Sequence, residues 1–251
     1  EVYINGVSLR ENPVEAKKHI GFLPQKPPLY GDLTVDEYLV YCANLRLMDK
    51  KEIRAAVDRA KERCGIMHFS NRLIRNLSGG YQQRVGIAQA IVHNPKFVVL
   101  DEPTNGLDPI QILEIRQLIK EIATDHSVLL STHILSEVQA TCGYIRMIEH
   151  GNVVFTGTME EFNNYVKPDS FVAYIDKLPG IDALTAIEGI NSVEELGAKK
   201  FRVHFTGGRE TLQRLIKESV NQDWGLSEIS LEKSSLDEVF AQLSGKRKPK
   251  A

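Results

Sequence analysis

The chain has 251 residues, 42% apolar and 25% charged, a composition that excludes collagen-like, low-complexity and intrinsically disordered classes. Its 31 basic and 33 acidic residues leave a formal charge of −2, so no global positive field draws it onto nucleic acid or anionic lipid, and no nucleic-acid partner is expected. Cys42, Cys64 and Cys142 are odd in number and widely spaced, which fits reduced thiols rather than a disulfide framework or a zinc site, and no apolar run approaches the ~18 residues of a membrane-spanning helix.

Residues 1–9 read as a hairpin turning at Asn5-Gly6, and because residue 1 is Glu rather than Met, further natural sequence upstream is expected. A short buried strand at 19–23 is closed by Pro24-Gln25 and then Pro27-Pro28. Thr34 then caps a helix on which Val35, Tyr38, Leu39, Cys42 and Leu45 recur at three- and four-residue steps; 51–64 continues as a more charged helix, and the chain to about residue 95 is mostly helical. Phe97-Val98-Val99-Leu100 has the pattern of a parallel strand buried on both faces and stops at Asp101-Glu102-Pro103. Asp108 can cap a helix with Pro109 at its first position and Ile112, Ile115, Ile119 and Ile122 on one face. The apolar run 127–130 precedes His133, so strands alternate with helices and an α/β sheet is implied. A hairpin follows at His150-Gly151-Asn152.

Beyond Tyr165 a break at Lys167-Pro168-Asp169 opens a second unit: strand 170–175, helix 181–187, strands 193–196 and 201–205, helix 210–220 and strand 226–231. That order is β-α-β-β-α-β, the split βαβ or ferredoxin-like sequence of elements, and it carries no cysteine for an iron–sulfur cluster. Ser235 caps a last helix presenting Leu236, Val239, Phe240 and Leu243, and a basic tail around Lys246-Arg247-Lys248 reads as a solvated end.

Three places concentrate chemistry. Leu77-Ser78-Gly79-Gly80 stands immediately before a helical run, so Ser78, Gly79 and Gly80 would present free backbone N–H groups at a helix N-terminus, an anion-binding arrangement that four residues can also form as a plain capped turn. Asp101 and Glu102 sit at the carboxyl end of the buried strand, where open α/β sheets place their ligand crevice. Asp101 suits a Mg²⁺ contact through water and Glu102 suits orienting an attacking water. His133 also follows an apolar strand and could reach the same edge; Gln25 and Asp108 by themselves read equally well as a surface amide and a helix cap.

In their order and spacing, Gln25, Leu77-Ser78-Gly79-Gly80, Asp101-Glu102, Asn105-Gly106-Leu107-Asp108 and His133 resemble an ATP-binding cassette (ABC) ATPase over about residues 1–165. The resemblance implies a Q-loop at Gln25 that contributes to Mg²⁺, a signature motif at Leu77, Ser78, Gly79 and Gly80 that binds nucleotide, and a Walker B strand ending in the metal-binding Asp101. It further implies Glu102 as catalytic carboxylate, a D-loop through Asp108, and His133 as switch histidine. ATP and Mg²⁺ follow as ligands, and two cassettes would sandwich ATP in a dimer, most simply a homodimer. Tyr81 stands where the family usually has glutamine, with Gln82 and Gln83 after it. The phosphate-binding G-x-x-x-x-G-K-[ST] is absent, the only Gly-Lys pair being Gly245-Lys246, followed by Arg247. A helix N-terminus offers an anion about 0.3–1 kcal/mol, up to ~2 when partly buried, against the ~4 kcal/mol that even millimolar binding requires, so this chain alone is expected neither to hold Mg-ATP tightly nor to hydrolyse it.

The expected architecture is therefore an α/β, P-loop NTPase-like cassette, incomplete at the N-terminus, over 1–166 with a helical subdomain at about 32–95. An α+β ferredoxin-like domain over 168–243 and a basic tail over 244–251 complete it. That C-terminal extension, ending in a pattern like Ser235-Leu236-Asp237-Glu238-Val239-Phe240, looks like the bacterial exporter branch, which includes gliding-motility and drug- or polysaccharide-export ATPases. The branch implies a separate transmembrane permease subunit and a place at the cytoplasmic face of the membrane. Two other readings are an SMC-type or ribosome-associated ABC ATPase and a P-loop-less regulatory module. Gln25 and Leu77 lie 52 positions apart, too close to enclose the long heptad coiled coil of the SMC class. The presence of both Glu102 and His133 argues against a degenerate site.

Overall fold

The structure, a computed structural model, describes residues 1–163, 165, 169–197, 199–206 and 209–232. It separates into two compact units, Glu1–Cys142 and Gly143–Ala251.

The first unit opens with strands β1 (Tyr3–Ile4) and β2 (Val7–Ser8), paired through Ile4 and Val7. Asn5 and Gly6 both hold positive φ, 49° and 77°, which is what a two-residue type I′ hairpin requires and why Asn-Gly forms it. Helix α1 (Pro13–Lys18) follows, with the Asn12 side chain accepting from the Glu15 N–H. It leads into β3 (Ile20–Leu23). Helices α2 (Val35–Leu45) and α3 (Lys50–Arg63), two short 3₁₀ turns and α4 (Gly79–Ile91) form the helical region. Thr34 caps α2 in a reciprocal capping box with Glu37, as a Thr-x-x-Glu sequence favours. After it come β4 (Phe97–Asp101), α5 (Pro109–Ile122), β5 (Ser127–Ser131) and α6 (Leu135–Thr141).

β3, β4 and β5 form a parallel sheet in that order, with Leu23 in register with Leu100 and Leu100 with Leu130. Leu23, Val98 and Leu100 point into one core with Tyr38 and Leu39 of α2, Val57 of α3, Val85 of α4 and Ile119 of α5. Gly21 allows α4 to lie directly on this face: a Cβ there would stand 2.0 Å from the Ala90 carbonyl oxygen. The opposite face departs from the double burial expected of residues 97–100. Phe97 and Val99 are half-buried, and Phe22 and Leu129 beside them are 45% and 46% exposed, because the helices that pack on the sheet bury the Val98–Leu100 side. An all-apolar run thus identified a parallel strand without fixing the number of its covered faces.

The second unit begins with the hairpin β6 (Tyr144–Glu149) and β7 (Asn152–Thr158), again turned by two positive-φ residues, His150 and Gly151, and continues through α7 (Met159–Asn163). β8 (Ser170–Ile175), α8 (Ile181–Thr185), β9 (Ile190–Gly197), β10 (Lys200–Phe205), α9 (Arg209–Asn221) and β11 (Leu226–Leu231) then make one four-stranded sheet in the order β11-β8-β10-β9. All its neighbours are antiparallel, which is the ferredoxin-like topology. Phe171, Val203, Phe205, Leu215 and Trp224 are among its core residues. The division between the units falls at 142/143, upstream of the break expected near 167, and β6 and β7 pair with each other rather than joining the three-stranded sheet. The helix expected from Ser235 and the basic tail lie outside the described residues. No helix among the described residues is long and apolar enough to cross a membrane.

Candidate functional site

The parallel register places three strand ends at one edge. Gln25 lies two residues past the end of β3 and is exposed; Asp101 ends β4 opposite Ser131 of β5; Glu102 follows β4 directly and His133 lies two residues past β5. The sequence places Asp101, Glu102 and His133 at a common crevice edge and leaves Gln25 as a surface amide unless the family resemblance is invoked; all four follow the carboxyl ends of the three parallel strands.

Glu102 and His133 are in contact. Glu102 Oε1 accepts from His133 Nδ1 at 2.6 Å and from the His133 backbone N–H at 3.0 Å, while Oε2 accepts from the Thr132 hydroxyl at 3.1 Å. The Glu102 side chain is only 13% exposed, whereas that of His133 is 75% exposed, so the carboxylate is sheltered and the imidazole faces outward. Burial alone would raise the Glu102 carboxyl, but the His133 ring, its backbone N–H and the Thr132 hydroxyl together outweigh burial and hold it below its ordinary value. The hydrogen bond to Glu102, and then its charge, hold His133 above its own. Glu102 adopts φ = +47°, uncommon for a residue with a side chain, while its N–H donates to the Ser131 carbonyl at 2.8 Å.

The second cluster lies where α4 meets α5. Ser78 is the N-cap of α4 and is exposed, yet its side chain makes no capping hydrogen bond, so among the described residues nothing takes its hydroxyl or the first N–H groups of α4. Leu77 is buried and anchors the turn. Gly79 has open space around its missing Cβ; a Cβ on Gly80 would stand 2.6–2.9 Å from the side-chain amide of Gln111. Gln111 belongs to α5, whose cap is Asp108: one Asp108 oxygen accepts from the Ile110 and Gln111 N–H groups, both at 3.0 Å. The Leu77-Ser78-Gly79-Gly80 turn and the Asp108 turn are therefore neighbours. No hydrogen bond among the described residues joins Ser78 to Glu102. Tyr81 packs against Phe69, ring centroids 4.6 Å apart, which gives the aromatic at that position a packing role.

Three residues of the site gave no sequence signal. Thr104, Thr132 and Glu137 connect behind Glu102: the Thr132 hydroxyl also lies 3.3 Å from Glu137 Oε2, and the Thr104 hydroxyl donates to Glu137 Oε1. Glu137 is 1% exposed. An acidic residue in the first turn of a helix normally reads as a dipole partner in solvent, which concealed it.

The residues present fit a magnesium nucleotide. The Gln25 amide and Asp101 carboxylate offer the hard oxygen donors that Mg²⁺ takes in ones and twos, leaving phosphate and water to complete its shell. No group of three or more His, Cys, Asp or Glu among the described residues could hold a metal by itself. The uncommitted N-terminus of α4 suits phosphate oxygens.

Residues 1–105 match the family model described as ABC transporter. The chain is 31% identical over 228 residues to the uncharacterized ABC transporter ATP-binding protein YdbJ of Bacillus subtilis, covering 90% of this chain and 71% of that protein. It is 36% identical over 156 residues to the bacitracin transport ATP-binding protein BcrA of Bacillus licheniformis, covering 61% of this chain and 50% of BcrA. The chain spans about half to two thirds of the length of three other curated Bacillus relatives, YxlF, NatA and BcrA. Among solved structures, CbiO1 of Clostridium perfringens, described as part of the ABC transporter complex CbiONQ, is similar with a TM-score of 0.57 and 30% identity, over 64% of this chain and 65% of that one. The chain therefore belongs to the family of ABC transporter ATP-binding proteins.

Proposed function

We propose that this chain is the ATP-hydrolysing part of an ABC exporter subunit, working at the interface of two cassettes and driving a separate transmembrane permease from the cytoplasmic face. The observation that carries the reading is the Glu102–His133 contact at 2.6 Å on the ligand edge of the sheet. An ionised carboxylate has about four acceptor positions, and three on Glu102 are taken, two on Oε1 by His133 and one on Oε2 by Thr132. The position left on Oε2 is available to a water. Because its hydrogen bonds hold Glu102 ionised, it orients and polarises that water more than it stores a proton. His133, held toward its protonated form and open to solvent, supplies positive charge for an incoming phosphoryl oxygen.

Asp101, through water, and Gln25 would hold Mg²⁺, which when bound neutralises phosphate charge. Ser78, Gly79 and Gly80 receive the phosphates of a nucleotide carried mainly by the other cassette, and Asp108 fixes the turn beside them. BcrA, named for bacitracin transport, and CbiO1, part of a multi-subunit transporter, support a membrane partner for this chain as well. The exporter assignment rests on the ferredoxin-like second unit, and gliding motility or drug export are the roles its branch suggests.

The test is phosphate release from Mg-ATP by the whole protein with its membrane partner. Glu102→Gln is expected to lower turnover about 100-fold or more while nucleotide affinity holds. Equal turnover in the variant and the wild type overturns the reading.

A further inference from the structure

Glu137 belongs to none of the motifs above, yet it is among the most completely buried ionisable groups in the first unit, at 1% exposure. A carboxylate taken out of water is retained only when hydrogen bonds or a countercharge replace its hydration. Here Oε1 accepts from the Thr104 hydroxyl, Oε2 faces the Thr132 hydroxyl at 3.3 Å, and the Arg116 guanidinium stands 3.9 Å away. Thr104 is itself only 3% exposed and lies in the loop between Glu102 and Asp108; Thr132 lies between β5 and His133; Arg116 comes from α5. One buried carboxylate thus reaches both loops that carry the proposed chemistry.

Thr132 is the junction. Its hydroxyl has one proton and two carboxylate acceptors, Glu102 Oε2 at 3.1 Å and Glu137 Oε2 at 3.3 Å, while its oxygen accepts from the Ile134 N–H at 3.1 Å. With three partners around it the hydroxyl has little rotational freedom, and its position limits where Glu102 Oε2 can go. We infer that Glu137 is a positioning residue: its buried carboxylate accepts from Thr104 in the loop after Glu102 and packs against the Thr132 hydroxyl, whose one proton goes to Glu102 at the shorter distance, so it ties together the two loops that set the Glu102 carboxylate against His133. Glu137 touches no reacting group and acts through the two threonines. The inference rests on Glu102 being the water-orienting carboxylate, but its test is independent of turnover.

Two backbone amides report on this arrangement. The His133 N–H donates to the Glu102 side chain and the Ile134 N–H to the Thr132 side chain, so their hydrogen exchange measures whether those side chains are in place. Exchange is followed residue by residue by NMR on the 251-residue chain without nucleotide, with the β4 amides of Val98 and Leu100 as references. Glu137→Gln is expected to speed exchange at His133 and Ile134 about tenfold, the worth of one hydrogen bond, and to leave Val98 and Leu100 within about twofold. Thr104→Val, a milder change that keeps the carboxylate, is expected to act at the same two amides in the same direction.

Unchanged exchange at His133 and Ile134 in both variants overturns the proposal. So does a uniform acceleration that includes Val98 and Leu100, since it would make Glu137 a determinant of folding rather than of position. A chain that passes this test but whose whole protein is insensitive to Glu102→Gln would retain the positioning role and lose the hydrolytic one, so the two failures are distinguishable.

Discussion

Glu102 combines two unfavourable features, a left-handed backbone at φ = +47° and a sheltered carboxylate. Such a backbone costs a residue with a side chain about 1–2 kcal/mol, and it persists where the surroundings over-determine it. Three hydrogen bonds to the side chain and one from its N–H to Ser131 do so here. The folded His133 value lies above the ordinary 6.5, so its stabilising contribution is complete below about pH 6.5 and is lost as pH rises through the folded value. The folded Glu102 value lies below the ordinary 4.5, so its contribution is complete above that pH and is lost as pH falls through the folded value. The charged pair therefore persists between the two folded values. NMR titration of the His133 ring is expected to give a midpoint above 6.5 that drops toward 6.5 in Glu102→Gln; identical midpoints would show that the contact does not form in solution.

Elements explain which parts were legible from residue order. Asn5-Gly6, Thr34 with Glu37, and Asp108-Pro109 are local devices whose chemistry determines their geometry, and each forms as its residues predict. The β-α-β-β-α-β order is readable because turns punctuate the six elements, although α8 has only five residues. Helices α1, α6 and α7, of six, seven and five residues, are too short to display a 3.6-residue period, and Glu137 went unnoticed with α6. The open face of the sheet and the Thr104–Glu137–Thr132 links depend on contacts between distant segments, which local pattern does not encode. Two substitutions test the element-level account. Thr34→Ala, which breaks the capping box, should lower unfolding free energy by about 1 kcal/mol in a urea titration. Gly79→Ala has room for its methyl and should leave stability unchanged or slightly higher, while Gly21→Ala, aimed at the Ala90 carbonyl, should cost about 3 kcal/mol or more. Equal losses for the two glycines would refute the packing described for α4.

For the molecule as a whole, no hydrogen bond among the described residues joins the two clusters, Glu102 and His133 at the strand ends and Ser78 to Gly80 at the α4–α5 junction. In the proposed function a nucleotide is served by both through two copies, each giving its strand-end cluster to one site and its α4 N-terminus to the other. The phosphate-binding G-x-x-x-x-G-K-[ST] is not among these 251 residues, so titration calorimetry on this chain alone should find Mg-ATP affinity no better than about millimolar. Micromolar binding would mean that the α4 N-terminus has been undervalued. The central claim is tested most directly by mixing whole proteins that carry Glu102→Gln with whole proteins that carry Ser78→Glu, each inactive by itself. Random pairing makes half the dimers mixed, each with one intact composite site, so the mixture should recover about one quarter of the wild-type hydrolysis rate. A mixture as inactive as its components would contradict a site shared between two cassettes.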